Sequence, residues 1–296
     1  MTVAAVRSPV GPAVLRLLRP KQWAKNVLVL AAPGAAGVLL QGDVAWRVGA
    51  CLVAFCALSS AVYVLNDAVD AEADRVHPTK RQRPIASGEV SVRAAAVLGI
   101  VLAAASLGAA ASLGLKVLIV FGVYAANSAA YSLFLKREPT VELVAVAAGF
   151  VLRAIAGAVA AQVPVSDWFL IVTSFGALFV VAGKRHGELV RLDGLTGTRV
   201  ALQSYTVEYL RGIWLISAGV ATTAYCLWAF EQGQGVDHPI TYQLSVLPFV
   251  LALLRYALLL EHGRGGEPED VILHDRQLLV LGALWVLVFG LGVLLR

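Results

Sequence analysis

Apolar stretches, each close to the length of a membrane-spanning helix, alternate with short polar stretches along the whole chain. A bilayer core of about 30 Å is crossed by a helix of roughly 20 residues. About nine stretches approach this length, so the pattern predicts an all-α, polytopic membrane protein with about nine transmembrane helices. They are Lys25–Leu40, Trp46–Asn66, Ser91–Leu113, Leu115–Tyr131, Val141–Ala161, Trp168–Gly183, Leu210–Phe230, Leu244–Leu260 and Gln277–Leu295. The first stretch contains Pro33 and two glycines, so its bounds are the least well defined.

Composition supports a membrane protein with a single domain over residues 1–296. The chain is 59% hydrophobic and 15% charged, with a mean hydropathy of +0.77, whereas a soluble domain has about 25% charged residues. A net charge of +5 would suggest a nucleic-acid partner in a soluble protein. Here the basic residues follow alternate apolar stretches, which indicates topology, and we predict no nucleic-acid partner. Cys51, Cys56 and Cys226 lie inside apolar stretches without metal-ligand spacing, as expected of small buried side chains.

The basic residues predict the orientation of the chain. They concentrate in the N-terminal segment and after the second, fourth, sixth and eighth apolar stretches. By the positive-inside rule, the N-terminus and these four loops are cytoplasmic, and the C-terminus is outside. We therefore expect a multi-pass protein of the cell membrane. Its active-site loops, residues 67–90 and 184–209, face the cytoplasm.

A cluster of acids follows the second apolar stretch directly. Asp67, Asp70 and Asp74 have helical spacing, so a continued helix places them on one face, with Asn66 beside Asp70. Like charges at this spacing repel each other, and a bound cation would reverse that effect. Oxygen ligands on a partly hydrated face suit Mg²⁺, which shares its shell with water and substrate phosphates.

We therefore predict Asn66, Asp67, Asp70 and Asp74 as metal ligands, and the three aspartates as catalytic. An EF-hand does not fit, because the acid spacing is wrong and no glycine stands at the required turn. A solvated loop with incidental acids is the alternative.

Cations occur in both of the predicted cytoplasmic active-site loops. Lys80, Arg81 and Arg83 come after the acids and together resemble a phosphate-binding wall, although topology alone would explain each of them. Lys184, Arg185 and His186 occupy the corresponding place after the sixth stretch and are predicted to hold anions. His186 has three open interpretations: a base, an anion contact or an exposed side chain.

Further candidates lie elsewhere on the same predicted side. Arg153 lies deep in the fifth stretch, where a charge is costly and usually faces a cavity or a partner. It is therefore a candidate for substrate binding; the alternative is a structural pair inside the bundle. Lys21 and Lys25 lie at the predicted cytoplasmic start of the first helix and either help to bind a phosphate or anchor the helix. The remaining candidates for substrate binding are Tyr131, Lys136, Arg137 and Glu142.

Several of these motifs resemble the UbiA-type intramembrane prenyltransferase superfamily. They are the NDxxDxxxD pattern of Asn66–Asp74, the segment DRVHPTKRQRPIASGEVS that overlaps its end, and YSLFLKR before the fifth stretch. The resemblance covers essentially the whole chain. It implies a bundle of nine helices, with the acidic motif at the cytoplasmic end of the second helix and Mg²⁺ as cofactor. One departure is clear, because GKRHGELVRLDG replaces the family's second aspartate-rich motif after the sixth helix.

This departure indicates a particular branch of the superfamily. The basic loop, RPKQWAKN (Arg19 to Asn26) and SYTVEYLR (Ser204 to Arg211) are similar to phosphoribosyltransferases that act on decaprenyl phosphate. That resemblance implies phosphoribosyl pyrophosphate (PRPP) as donor and a polyprenyl (decaprenyl) monophosphate as acceptor. Pyrophosphate is released, and the lipid product feeds the synthesis of cell-wall arabinan. Lys184 and Arg185 suit the 5-phosphate of PRPP, which a second aspartate cluster would repel.

Two other functions stay open at this point. A conventional UbiA-type prenyltransferase would transfer a prenyl chain from its diphosphate to an aromatic acceptor, but it leaves the basic second loop unexplained. A transporter or lipid-flipping protein would carry charged residues near the middle of several helices, and Arg153 is nearly alone in that position. Membrane lipids are expected partners, and a homo-oligomer is compatible with the sequence.

Overall fold

The structure is a computed structural model, and it describes residues 10–78, 80–191, 202, 204–233, 240–263 and 268–295. All regular structure in these residues is helical. The α-helices are α1 (Val10–Leu18), α2 (Ala31–Ala35), α3 (Gly42–Val69), α4 (Ala71–Val76), α5 (Val92–Leu113), α6 (Leu115–Leu133), α7 (Val141–Ala161), α8 (Asp167–Arg191), α9 (Val207–Gly233), α10 (Ile240–Glu261), α11 (Pro268–His274) and α12 (Arg276–Leu294). A long 3-10 helix covers Pro20–Leu30, and short ones cover Lys80–Gln82 and Leu135–Arg137.

Eight of the described helices are long and apolar enough to cross a membrane. They are α3, α5, α6, α7, α8, α9, α10 and α12, and they match the second to ninth predicted apolar stretches. The prediction of an all-α, multi-pass membrane protein is therefore confirmed. The count of nine crossings and the cytoplasmic N-terminus stay predictions.

The first apolar stretch differs from the expected spanning α-helix. In place of one helix over Lys25–Leu40, the chain forms the 3-10 helix Pro20–Leu30 and then the five-residue α2. Arg19 precedes the 3-10 helix in the left-handed region, with φ of 53°, and Pro33 and Gly34 lie within α2, where they disfavour a long α-helix. A 3-10 helix rises about 2.0 Å per residue, so it covers more depth than an α-helix of equal length.

The 3-10 helix packs in the middle of the first half of the bundle. Gly157 in α7 allows this contact, because a Cβ there would lie 1.7 Å from the backbone oxygen of Val29. Beside it, the ring of Phe55 in α3 meets Phe121 and Tyr124 of α6 edge-on, with centroids 4.9 and 4.7 Å apart. Because these buried rings join α3 to α6, they hold together the wall of the cavity described below.

Both predicted cytoplasmic loops are partly helical. α4 forms inside residues 67–90, and α8 continues to Arg191, beyond its predicted end at Gly183. The close contact of Gly183 with Leu260 in α10 shows why: this end of α8 is packed against another helix rather than surrounded by solvent. Residues 192–201 of the second loop, and the topogenic cations Arg199 and Arg264, lie outside the described residues.

Candidate active site: a charged cavity in the bundle

A cavity of about 540 Å³ lies among α3, α6, α7 and α8 and the loops that follow α4 and α6. Most of the predicted site residues line it. They are Lys25, Asn66, Asp70, Asp74, Lys80, Arg83, Tyr131, Lys136, Arg137, Arg153, Lys184 and Arg185. Five predicted residues do not line it: Lys21, Asp67, Arg81, Glu142 and His186. We call the part lined by Asp70, Asp74, Lys80, Lys136 and Lys184 the mouth, and the part lined by Tyr124, Gly149, Phe150 and Arg153 the floor.

We call Asn66, Asp70 and Asp74 the acidic row, and they lie across the junction of α3 and α4. Asp70 is the capping residue directly after α3. Its N–H donates to the carbonyl of Asn66 at 2.9 Å, and the N–H of Asp74 donates to the carbonyl of Asp70 at the same distance. These two bonds connect the ends of the two helices, and Asn66, Asp70 and Asp74 all line the cavity. The Nδ2 of Asn66 donates to Oδ2 of Asp70 at 3.2 Å.

Asp67 has a different environment from the other acids. It is 2% exposed, and Nη2 of Arg19 lies 2.7 Å from both of its oxygens. Nη1 of Arg83 donates to Oδ1 of Asp67 at 2.9 Å and to Oδ2 of Asp74 at 2.7 Å. Asp67 therefore fixes two arginines that line the cavity, while it does not line the cavity itself.

The oxygen ligands of the acidic row fit a magnesium ion. Asn66, Asp70 and Asp74 offer one amide and two carboxylate side chains to the cavity, and Mg²⁺ commonly uses one or two carboxylates plus water and substrate phosphates. Within the described residues, no group of three or more histidines, cysteines and acids surrounds a metal position. A site with two carboxylates would therefore complete the metal shell with water or with phosphate oxygens of a substrate.

Cations face the acids from the other walls. Nζ of Lys136, in the 3-10 helix Leu135–Arg137, lies 3.2 Å from Oδ1 of Asp70. Nζ of Lys80 lies 4.0 Å from Oδ1 of Asp74, and Lys184 reaches the cavity from α8. The mouth thus combines metal-type ligands with phosphate-type ligands, which is the composition that a metal-bound diphosphate requires.

Arg185 is held by acids, unlike the free anion contact expected from the sequence. Its Nε and Nη2 donate to the two oxygens of the buried Glu142 at 2.7 and 2.8 Å, and its Nη1 donates to Glu188 at 3.0 Å. The hydroxyl of Tyr131 lies 3.4 Å from Nη2. Glu142 therefore pairs with Arg185 and not with Arg153, and this pair joins α7 to α8.

His186 lies behind the cavity wall. It is 2% exposed, and its ring centroid is 6.4 Å from that of Trp214 in α9. Neither ring nitrogen has a hydrogen-bond partner among the described residues. Of the three interpretations left open by the sequence, simple exposure is wrong, because packing against α9 buries the ring.

The turn before α7 is held by two tyrosines of the SYTVEYLR segment. Thr140 has φ of 68°, a strained value for a β-branched residue. Its N–H donates to the hydroxyl of Tyr205 at 2.8 Å, and its hydroxyl lies 3.2 Å from that of Tyr209. The two rings stack with centroids 5.8 Å apart, and burial raises the pKa of Tyr205. Since this turn follows Lys136, the two tyrosines fix the position of the segment that carries this lysine.

Several residues that line the cavity were not expected from the sequence. The polar ones are Arg19, Tyr63, His77, Tyr124, Asn127, Ser128 and Ser132. Arg19 belongs to the RPKQWAKN segment that was singled out, so its place there could have identified it. His77 lies in the first predicted cytoplasmic loop, Ser132 lies just after the fourth apolar stretch, and the others occur inside apolar stretches. Their position on the cavity side becomes visible only when the helices are packed.

Comparisons with known proteins agree with this arrangement. The model of the UbiA prenyltransferase family matches residues 27–274. A decaprenyl-phosphate phosphoribosyltransferase of Mycolicibacterium smegmatis is 43% identical over 293 residues, which cover 95% of this chain and 92% of the relative. The protein of that name from Mycobacterium tuberculosis is 44% identical over 289 residues, covering 95% and 94%. The solved structure of a UbiA homolog from Archaeoglobus fulgidus bound to GPP and Mg²⁺ has a TM-score of 0.71 at 21% identity, covering 95% of this chain and 99% of that one.

Proposed function

This chain belongs to the UbiA prenyltransferase family, and from that premise we propose that its cavity transfers the 5-phosphoribosyl group of PRPP to a polyprenyl (decaprenyl) monophosphate and releases pyrophosphate. One observation carries the proposal: Asn66, Asp70 and Asp74 share one cavity with Lys136 and Lys184. Such a cavity offers ligands for a metal-bound diphosphate and cations for further phosphates. The similarity to the two named relatives over 95% of the chain supports the same reaction.

Asn66, Asp70 and Asp74 would hold Mg²⁺, because they are the motif residues that line the cavity. When bound, the ion neutralises the negative charge that develops on the departing pyrophosphate. Asp67 does not line the cavity; its role is to position the guanidinium groups of Arg19 and Arg83. Lys80, Arg83 and Lys136 hold the non-bridging oxygens of the diphosphate, and Lys184 binds the ribose 5-phosphate.

The reaction exchanges one C–O bond at the anomeric carbon for another. The bond from C1 to the diphosphate oxygen breaks, and an oxygen of the lipid phosphate attacks C1 from the opposite face, which inverts that carbon. No general base is needed, since a phosphate monoester with a second pKa of about 6 is largely dianionic at neutral pH. Positioning of the two substrates and electrostatic stabilisation of the leaving group therefore supply most of the rate.

The cellular setting follows from the same proposal. The cavity would face the cytoplasm, where PRPP is soluble, and the acceptor would enter from the cell membrane. The lipid product would then serve arabinan synthesis for the cell wall. A conventional prenyltransferase with a prenyl diphosphate donor and an aromatic acceptor is the alternative in the same fold.

The test uses membranes that contain the full chain, with ribose-labelled PRPP, Mg²⁺ and decaprenyl phosphate. We expect label in the lipid fraction that disappears with EDTA and with Asp70→Ala. The matched control is Glu72→Ala, which removes an exposed acid from α4 and should leave the transfer unchanged. Transfer that occurs only from a prenyl diphosphate to 4-hydroxybenzoate would show that the alternative is correct.

A further inference from the structure

We infer that Arg153, held in place by Asn26 and Tyr124, binds the phosphate group of the lipid acceptor at the floor of the cavity. This inference rests on the proposed function, since it assigns one of the two substrates to a particular part of the same cavity. The mouth then receives PRPP, and the floor receives the acceptor phosphate.

Arg153 lies deep in the bundle yet reaches the cavity. It stands twelve residues after Val141, the first residue of α7, which corresponds to about 18 Å along the helix. The residue is 5% exposed, and it lines the cavity together with Gly149 and Phe150 of the same helix. A cation at this depth is costly and normally serves a ligand or a partner.

Among the described residues, every hydrogen bond of Arg153 goes to a neutral group. Nε donates to Oδ1 of Asn26 at 2.8 Å, Nη1 to the carbonyl of Gly149 at 2.7 Å, and Nη2 to the hydroxyl of Tyr124 at 2.9 Å. A guanidinium carries five N–H groups. These three bonds orient the side chain and leave an N–H on each terminal nitrogen for a ligand.

The charge of Arg153 is not balanced by an acid among the described residues. Arg19, Arg83 and Arg185 each contact a carboxylate within 3 Å, whereas the guanidinium of Arg153 lies over three aromatic rings. Its centre is 4.9 Å from the ring centroid of Tyr124 and 5.6 Å from those of Phe55 and Phe150. Dipoles and ring faces reduce the cost of the buried charge but do not neutralise it. An anionic ligand would supply the missing charge.

The surroundings of Arg153 match a phosphate that carries a hydrocarbon chain. Val62, Ala145, Val146 and Val181 line the cavity beside the aromatic floor, and an isoprenoid chain can pack against such side chains. PRPP has a charged group at each end, so it suits the mouth, where Lys80, Lys136 and Lys184 stand near the acidic row. The two phosphate-bearing substrates are thereby separated by the polarity of the cavity walls.

The kinetic test compares Arg153→Gln and Arg153→Lys with the unchanged protein, varying each substrate in turn. Loss of charge-assisted hydrogen bonds is worth roughly tenfold or more in affinity. We expect the KM for decaprenyl phosphate to rise by that factor in Arg153→Gln, to recover in part in Arg153→Lys, and the KM for PRPP to stay within about twofold. An increase confined to the KM for PRPP would overturn the assignment, and so would no change in either constant.

Arg47→Gln is the matched control. Arg47 is also an arginine in a spanning helix, and it donates to the carbonyls of Ala160 and Leu113 at 2.9 Å, but it does not line the cavity. Loss of the Arg47 guanidinium should change the unfolding temperature. It should not raise the KM for decaprenyl phosphate relative to the KM for PRPP. If Arg47→Gln raised the lipid KM as much as Arg153→Gln, a general effect on packing would explain both variants.

A binding measurement separates this inference from the proposed reaction. Farnesyl phosphate and farnesol, the same chain with and without a phosphate, are titrated into the detergent-solubilised full chain in the absence of PRPP. We expect farnesyl phosphate to bind more tightly than farnesol, and Arg153→Gln to remove the difference. Should the unchanged protein fail to transfer label from PRPP, the proposed function falls, while an Arg153-dependent preference for the phosphate would still stand. Equal binding of both probes to the unchanged protein would refute the floor site.

Discussion

The arginines around the cavity have different roles because their partners differ. Arg19 and Arg83 are fixed by Asp67, and Arg185 is fixed by Glu142. Arg153 is held only by neutral groups among the described residues. Carboxylates fix the positions of Arg19, Arg83 and Arg185, whereas the charge of Arg153 is not balanced by an acid among the described residues.

The first prediction concerns the buried pair of Glu142 and Arg185. Removal of one partner of a buried ion pair costs about 3–5 kcal/mol, because the other charge is left buried. We expect Glu142→Gln to lower the free energy of unfolding towards the lower end of that range, since Glu188 still contacts Arg185. The measurement is thermal or denaturant unfolding of the protein in detergent.

Glu261→Gln provides the comparison for this variant. Glu261 pairs with Arg211 at 2.6 Å, but both side chains are more than a third exposed, and such surface pairs contribute about 0–1 kcal/mol. If both variants lowered the stability by the same small amount, the buried pair would not join α7 to α8 as described.

At the scale of elements, apolar patterning located most helices well. α5 and α7 begin and end within a residue of their predicted bounds, because their polar flanks coincide with the helix ends. α8 extends to Arg191 because Arg185 and His186 are buried by partners on α7 and α9. No local sequence pattern predicts this burial. The first stretch became a 3-10 helix for a comparable reason: Gly157 admits its backbone into the centre of the bundle.

Gly157→Ala tests that close approach. The new Cβ would lie 1.7 Å from the backbone oxygen of Val29, and backbone cannot move aside as a flexible side chain can. Overpacking of this kind costs about 1–3 kcal/mol. We expect a lower unfolding temperature and weaker binding of farnesyl phosphate, because Asn26 would move away from Arg153. Gly108→Ala in α5, where a Cβ meets nothing within 4 Å, should change neither quantity.

For the whole molecule, the charge distribution predicts the side on which the cavity opens. The loop after α4 and the turn after α6 contribute Lys80 and Lys136 to the cavity, and the positive-inside rule places both in the cytoplasm. The turn between α7 and α8, around Ser166, would then lie on the opposite face.

Cysteine labelling tests this orientation. Ser87→Cys and Ser166→Cys place thiols at exposed positions on the two predicted faces. We expect an impermeant maleimide to label Ser87→Cys only in inverted vesicles and Ser166→Cys only in right-side-out vesicles. Labelling of the unchanged chain, whose three cysteines lie in spanning helices, sets the background. The reverse pattern would place the cavity on the outer face.

The sequence alone determined the all-α membrane fold, the position of most helices and the residue types of the site. These properties depend on the local pattern of apolar and charged residues. The thickness of the bilayer sets the length of a spanning helix, and the basic residues in the loops set its orientation. Only the tertiary structure decided which acid holds which cation. Asp67 does not line the cavity whereas Asp70 does, and Arg185 is paired with an acid whereas, within the described part of the chain, Arg153 is not. Such pairings join residues far apart in the chain, and they depend on how α3, α6, α7 and α8 pack, which no local pattern contains.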